Sequence, residues 1–409
     1  MAEFDKPSGR KGAARSSRAG VHAQTGTEWE SLGGSKVATK PFLVLAALAL
    51  LAVIFILYRF VAGLGAVTNL SDGYPWGIWI TYDVLVGTAL GCGGYATAIL
   101  VYAFNRWEYH PVVRSAVLTS VFGYTLAGLA IFLDIGRYWN GYKLFLPWTV
   151  NFNSVLVEVA LCIAAYVVVL WIELLPTMLE GYPDSAKAKS TRHRLERWLP
   201  VIAAVGILLP TMHQSSLGTL MIIAGYKVSH LWQTHMLPVF FLLSAITMGL
   251  AVTVFESVLS SIAFKRPFET PMLSKICVSM AWVILVYLVL RFADLLFRGA
   301  PIFSSGFQSF MFLLETLFYL APLLLLFSAE WCYDLRWIFM ASVSMLLAGS
   351  LYRFNAFLIG YNPGTGWQYF PALPEIFITL GIVALELMAY LYFVKRFPVL
   401  HRVECPTPR

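Results

Sequence analysis

The sequence predicts an all-α integral membrane protein of about ten transmembrane helices, on three observations. Only 12% of the 409 residues are charged, about half the fraction usual in a soluble domain. Hydrophobic residues make up 59%, and mean hydropathy is +0.72. The apolar residues also fall in continuous runs long enough to cross a bilayer as helices, which takes about 20 residues each. A barrel needs short alternating segments instead.

Residues 1–40 are polar, basic and rich in Gly, Ser and Ala, and read as a disordered cytoplasmic tail. Apolar runs then predict spans over about 41–60, 76–104, 113–136, 152–178, 198–222, 235–262, 274–297, 307–328, 336–359 and 373–396. No small-residue cleavage site follows the first run, so it reads as an uncleaved helix rather than a signal peptide. The membrane domain covers 41–397, and 398–409 form a second cytoplasmic tail. A weak repeat relates the third and seventh spans, Asp134-x-x-Arg137 against Arg291-x-x-Asp294. It predicts two four-helix bundles, spans 2–5 and 6–9, with the first and tenth flanking them; chance spacing is the competing account.

Orientation follows from Lys and Arg. Twenty-two lie in the tails and the loops on their side, against five in the opposite loops. Basic residues collect in the cytoplasm, so both termini are expected there. This also accounts for the net charge of +7 without nucleic acid. The five cysteines form no C-x-x-C pair, so no Fe–S cluster or structural zinc is expected.

Ionisable residues within spans are costly and usually functional. This chain carries Asp83, Asp134, Glu158, Glu173, Glu256, Arg291, Asp294, Glu315, Arg353 and Glu386, with His213. Depth along each span places Asp83, Asp134, Glu158, Arg291, Asp294 and Arg353 toward the outer side, and Glu173, Glu256 and Glu386 inward. Interhelical ion pairing is the structural alternative, above all for Arg291 and Asp294. His213 sits in Pro210-Thr211-Met212-His213-Gln214-Ser215-Ser216, where the proline can break or kink the helix beside a polar pocket. An imidazole there can hydrogen-bond a carbonyl or relay a proton, or simply bridge two helices. The other histidines lie in tails or near span ends, with no facing pair for a haem. These groups suit a diffusible, lipid-soluble redox carrier fed with electrons by a docked partner.

Several stretches resemble the NrfD/PsrC superfamily. They include Gly73-Tyr74-Pro75-Trp76-Gly77, Cys92-Gly93-Gly94, Asp134-Ile135-Gly136-Arg137-Tyr138-Trp139-Asn140, Leu209-Pro210-Thr211-Met212-His213-Gln214-Ser215-Ser216 and Tyr369-Phe370-Pro371. The similarity runs over nearly the whole chain after the tail, and most closely toward the HybB-like branch serving periplasm-facing uptake NiFe hydrogenases. It implies a bacterial inner-membrane subunit that binds menaquinone or ubiquinone near the periplasm and holds no haem. Its implied partners are a periplasmic four-cluster Fe–S protein and the hydrogenase large and small subunits, with proton translocation in some members. Carried over by position, Tyr124, Glu158 and His213 are the expected reactive residues. Tyr124, Glu158, His213 and Glu256 are expected to form a proton path, and the charged residues read toward the outer side, Asp134, Arg137, Arg291, Asp294 and Arg353, are expected to line the quinone site with Glu158 and His213. A sulfur, nitrite or molybdopterin partner is the alternative within the superfamily. A secondary transporter is the alternative outside it, because transporters also carry intramembrane charges and broken helices.

Overall fold

The computed structural model describes residues 29–32, 37–182, 185–301, 303, 306–328 and 331–401. The tail expected to be disordered lies outside them over residues 1–28. Ten helices are long and apolar enough to span a membrane: α1 Lys40–Ala62, α2 Trp79–Ala103, α3 Trp107–Asp134, α4 Val155–Glu180, α5 Ala186–Lys227, α6 Leu237–Phe264, α7 Thr270–Arg298, α8 Gly306–Leu326, α9 Leu335–Ile359 and α10 Leu373–Arg396. The chain is a multi-pass integral membrane protein.

Local chemistry sets several ends. Pro41, Pro238, Pro271 and Pro374 stand in the first turn of α1, α6, α7 and α10, where the missing N–H costs no hydrogen bond. Gly299 ends α7 at φ 59°, a left-handed conformation that glycine adopts without a side-chain clash. α5 begins about twelve residues before its expected start, at Ala186. The basic stretch Lys187–Arg197 reads as a loop by charge. Its Ala, Lys, Arg, Leu and Glu are nevertheless good helix formers, and Ser185 caps the first turn by accepting from the Ala188 N–H. Arg192 then pairs with Glu196 one turn on and with Glu180 of α4.

Packing follows the expected division. α2–α5 form one four-helix bundle and α6–α9 a second, while α1 pairs with α10 along the flank. The bundles meet where α2 and α5 lie against α6 and where α2 touches α9. An even number of spans puts both termini on one side, here the tail side. There Trp29–Glu30 pairs antiparallel with Leu400–His401, and Arg114 stacks on the Trp29 ring 4.3 Å away.

α2 is irregular. It winds in π turns over Trp79–Val86 and Ile99–Ala103, and its hydrogen bonding slips at Gly91–Cys92 between them. Glycines let neighbours close on it. A side chain at Gly94 would meet the Ser120 hydroxyl of α3 at 2.8 Å, and one at Gly249 of α6 would run into the Cys92 carbonyl. Gly249→Val is therefore expected to force the bundles apart. Overpacking costs about 1–3 kcal/mol in cores that can adjust, and here the obstacle is backbone. Loss of the monodisperse peak on size exclusion in detergent is the expected readout. A wild-type profile would show the α2–α6 crossing to be loose.

On the far side, opposite the tails, the Tyr74 ring stacks on that of Tyr369 at 5.9 Å, and the Tyr74–Trp76 stretch is tied to the end of α9 and the residues after it. Tyr74 donates to the Tyr361 carbonyl at 3.2 Å, and Trp76 Nε1 to the Phe357 carbonyl at 2.9 Å. The buried Glu375 carboxylate accepts from the Tyr369 hydroxyl and from the Asn69 and Ala372 N–H groups. Burial, with the Glu375 charge beside it, pushes the Tyr369 phenol well above its ordinary pKa, so it stays a donor.

Candidate functional site

A polar thread crosses the junction of the two bundles. α5 runs unbroken through Pro210 and turns His213, Gln214 and Ser216 inward, all buried. His213 Nε2 lies 3.2 Å from the Thr88 hydroxyl of α2, to which Gln214 Nε2 also donates at 3.1 Å. Gln214 Oε1 accepts from the Arg353 guanidinium of α9 at 3.2 Å. Arg353, fully enclosed, also donates to the Ser244 hydroxyl of α6 and lies over the Phe241 ring. No carboxylate pairs with it among the described residues. Four helices from both bundles thus share one chain of hydrogen bonds, and Thr88 is its hub. A threonine inside an apolar helix carries no sequence signal of such a role.

Toward the far side, the Ser216 hydroxyl donates to Glu158 Oε1 at 2.7 Å. Glu158 is half-buried in the first turn of α4. Tyr124 of α3 is fully buried, 4.5 Å from the Tyr166 ring and 5.7 Å from that of His213 between centroids. Its hydroxyl lies 3.5 Å from Cys92 Sγ. Glu158, His213 and Tyr124 therefore gather in one region.

Glu256 stands apart in the tail-side half of α6. Its two oxygens accept from the Thr119 hydroxyl at 2.5 Å and the Tyr390 hydroxyl at 2.6 Å. It lines a small tail-side cavity with Ser260, Arg266 and Tyr390. Glu386 of α10 lies near enough for its charge to act on both Glu256 and Asp83. Asp83 accepts from Thr379 through one oxygen, while its other is buried with no hydrogen-bond partner among the described residues.

The outer residues expected to line a single site fall into separate groups. Asp134 and the exposed Arg137 close α3, where buried Arg59 caps the helix by donating to the Leu133 and Ile135 carbonyls. Arg291 and Asp294 belong to the second bundle. Arg291 is buried, donates to the Leu231 carbonyl at 2.9 Å and feels the charge of Glu315, which Trp232 and Asn355 hold. Asp294 pairs with Arg298 at 2.8 Å and accepts from Thr234. No hydrogen bond or ion pair joins these groups to Glu158 among the described residues.

The family model for Polysulphide reductase, NrfD matches residues 66–363. The chain belongs to the NrfD family. The NrfD domain thus takes in α2 to α9 and both halves of the thread. The "Probable Ni/Fe-hydrogenase 2 b-type cytochrome subunit" of Escherichia coli strain K12 is 41% identical over 374 residues, 90% of this chain and 94% of its own. A protein of Nitratidesulfovibrio vulgaris is 31% identical over 377 residues, 88% of this chain and 94% of its own. The "Menaquinone reductase, integral membrane subunit" of the same organism is 34% identical over 251 residues, 58% of each chain.

The Escherichia coli name overturns the expectation of a haem-free chain, since a b-type cytochrome is a haem protein. The residues around His213 do not fit that group. The ring is fully enclosed, its Nε2 lies beside Thr88, and among the described residues no second histidine occupies a span interior. His110, His193, His230, His235 and His401 all lie at span ends or in loops. Among the described residues, no three His, Cys, Asp or Glu gather as a metal site.

Proposed function

We propose that this chain is the quinone-reactive membrane subunit of a bacterial inner-membrane respiratory complex, with both termini cytoplasmic. It exchanges electrons with a periplasmic Fe–S partner of a NiFe hydrogenase. The observation that carries the reading is the hydrogen-bonded thread at the bundle junction, beside which Ser216, three residues along α5 from His213, holds the half-buried Glu158 carboxylate. The name of the Escherichia coli relative supports the hydrogenase partner, and that of the menaquinone reductase subunit supports a menaquinone.

Quinone reduction takes two electrons and two protons. The electrons arrive from the partner, and this chain supplies protons. Glu158, half-open at the far side, hands a proton to each quinone oxygen in turn, taking up a new proton between the two transfers. His213 and Gln214 hold the Thr88 hydroxyl oriented beneath it, and the Arg353 charge stabilises negative charge arriving from that side. Glu256, bonded by two hydroxyls and open to the tail-side cavity, connects the interior with the cytoplasm.

The test is purification of the intact complex. Co-purifying hydrogenase subunits with an Fe–S protein, and hydrogen-dependent reduction of a menaquinone analogue, are expected. A complex without quinone reduction would overturn the reading. In Glu256→Gln the amide oxygen keeps one hydroxyl donor, the other hydroxyl must turn to accept from the amide NH2, and the exchangeable proton is gone. The variant is expected to retain hydrogen-to-quinone turnover within about threefold and to lose acidification by whole cells. Unchanged acidification would remove Glu256 from the path. The family description favours one second reading, a sulfur-compound reductase partner; co-purification of such a catalytic subunit would select it.

A further inference from the structure

On the tail side a groove of about 700 Å3 opens between α2, α6, α7 and the first turn of α3. Ile99 and Leu100 of α2, Ile246 and Leu250 of α6, and Val278 and Trp282 of α7 form its apolar wall. It runs from the tail-side helix ends toward the middle of α6, the depth of an acyl chain. Its mouth is different. Arg106, Glu108 and Lys275 stand there, with the hydroxyl-bearing Ser279.

The two cations share one carboxylate. Lys275 Nζ pairs with Glu108, while the Arg106 guanidinium approaches it only to 3.9 Å, beyond hydrogen-bonding distance. The Arg106 side chain is 66% exposed, and its N–H donors have no hydrogen-bond acceptor among the described residues. The mouth thus keeps a net positive charge beside an apolar channel. Basic pockets between transmembrane helices on the cytoplasmic side suit anionic lipid headgroups. A guanidinium with unused donors suits a phosphate in particular.

We propose that this groove binds an anionic phospholipid, its phosphate held by Arg106 and Lys275 and one acyl chain lying along Ile99, Leu100, Ile246 and Leu250. A zwitterionic lipid brings its own cation to a mouth that is already positive. A quinone brings no anion and leaves both cations unanswered. The lipid would sit where α2 of the first bundle meets α6 and α7 of the second, joining the halves on the side away from Glu158. The inference does not depend on the quinone reading.

The full chain, delipidated in neutral detergent, is titrated with dioleoylphosphatidylglycerol, and retained lipid is counted by native mass spectrometry. Phosphatidylglycerol is expected to outcompete dioleoylphosphatidylcholine. The double variant Arg106→Gln, Lys275→Gln is expected to retain about tenfold less, the loss of two basic contacts at a headgroup. Glu108→Gln should act in the opposite direction and raise retention, which a folding defect would not do. Equal retention of the two lipids overturns the proposal, as does undiminished binding in a folded double variant. So does no gain, or a loss, in Glu108→Gln, which decides if the double variant does not fold. Displacement of the lipid by millimolar inorganic phosphate would assign the mouth to a free anion and overturn it too.

Discussion

Glu158→Gln is expected to lower quinone turnover by about a hundredfold or more, the scale of a lost general acid. The substitution keeps the shape of the side chain. Ser216, which donates to Glu158 Oε1 at 2.7 Å, finds an amide oxygen in the same place. α4 and α5 therefore stay packed, and only the exchangeable proton is gone. Electron delivery from the catalytic partner to an artificial dye should be unaffected, because the dye intercepts electrons before they reach this chain. Hydrogen consumption with each acceptor measures the split. Wild-type quinone turnover at equal expression would exclude Glu158 as the proton donor, and parallel loss with both acceptors would make it a docking or folding residue.

Arg353→Met should separate function from architecture in the other half of the thread. The guanidinium is fully buried, and no carboxylate answers it among the described residues. Methionine of similar length removes a buried charge without stranding an opposite one, unlike the breaking of a buried ion pair. Ser244 keeps a partner, since its hydroxyl already donates to the Phe241 carbonyl at 2.9 Å. Gln214 Oε1 loses its donor, at about 1–3 kcal/mol, while the other acceptors left behind are the weak Met248 sulfur and the Gly349 carbonyl within α9. The protein is expected to accumulate and assemble, while quinone turnover falls about tenfold or more, since about 1.4 kcal/mol corresponds to tenfold. Failure to accumulate would identify Arg353 as a brace, and undiminished turnover would detach it from the chemistry.

The ten spans were legible because a span is a one-dimensional object: a run of apolar residues of sufficient length. Depth along the membrane normal was legible for the same reason, and it put Glu158 near one face and Glu256 toward the other. Position within the membrane plane was not. Asp134 and Arg291 are both expected near the outer face, yet they belong to different bundles, Asp134 ending α3 and Arg291 buried within α7, so the expected single outer site divides. Arg59 is one of the five basic residues assigned by sequence to the opposite loops, but it is buried against the end of α3 with its donors on backbone carbonyls. The thread shows the same limit. His213 and Gln214 stand out in a polar run, whereas Thr88, Thr119 and Tyr390 look like ordinary residues of apolar helices until folding brings hydrogen-bond partners from other helices to them.

The winding of α2 has a bearing on how that thread behaves. Over Trp79–Val86 the backbone takes π turns, which hold more residues than α turns do. Returning one surplus residue to α geometry rotates everything beyond it by about 100° around the axis. Thr88 lies two residues beyond the segment, so such a step swings its hydroxyl off His213 and Gln214. Trp79, anchored to the Glu375 carbonyl at 3.2 Å, holds the start of the helix still. Backbone pitch and proton contact are thus mechanically geared to each other within a single turn of one helix.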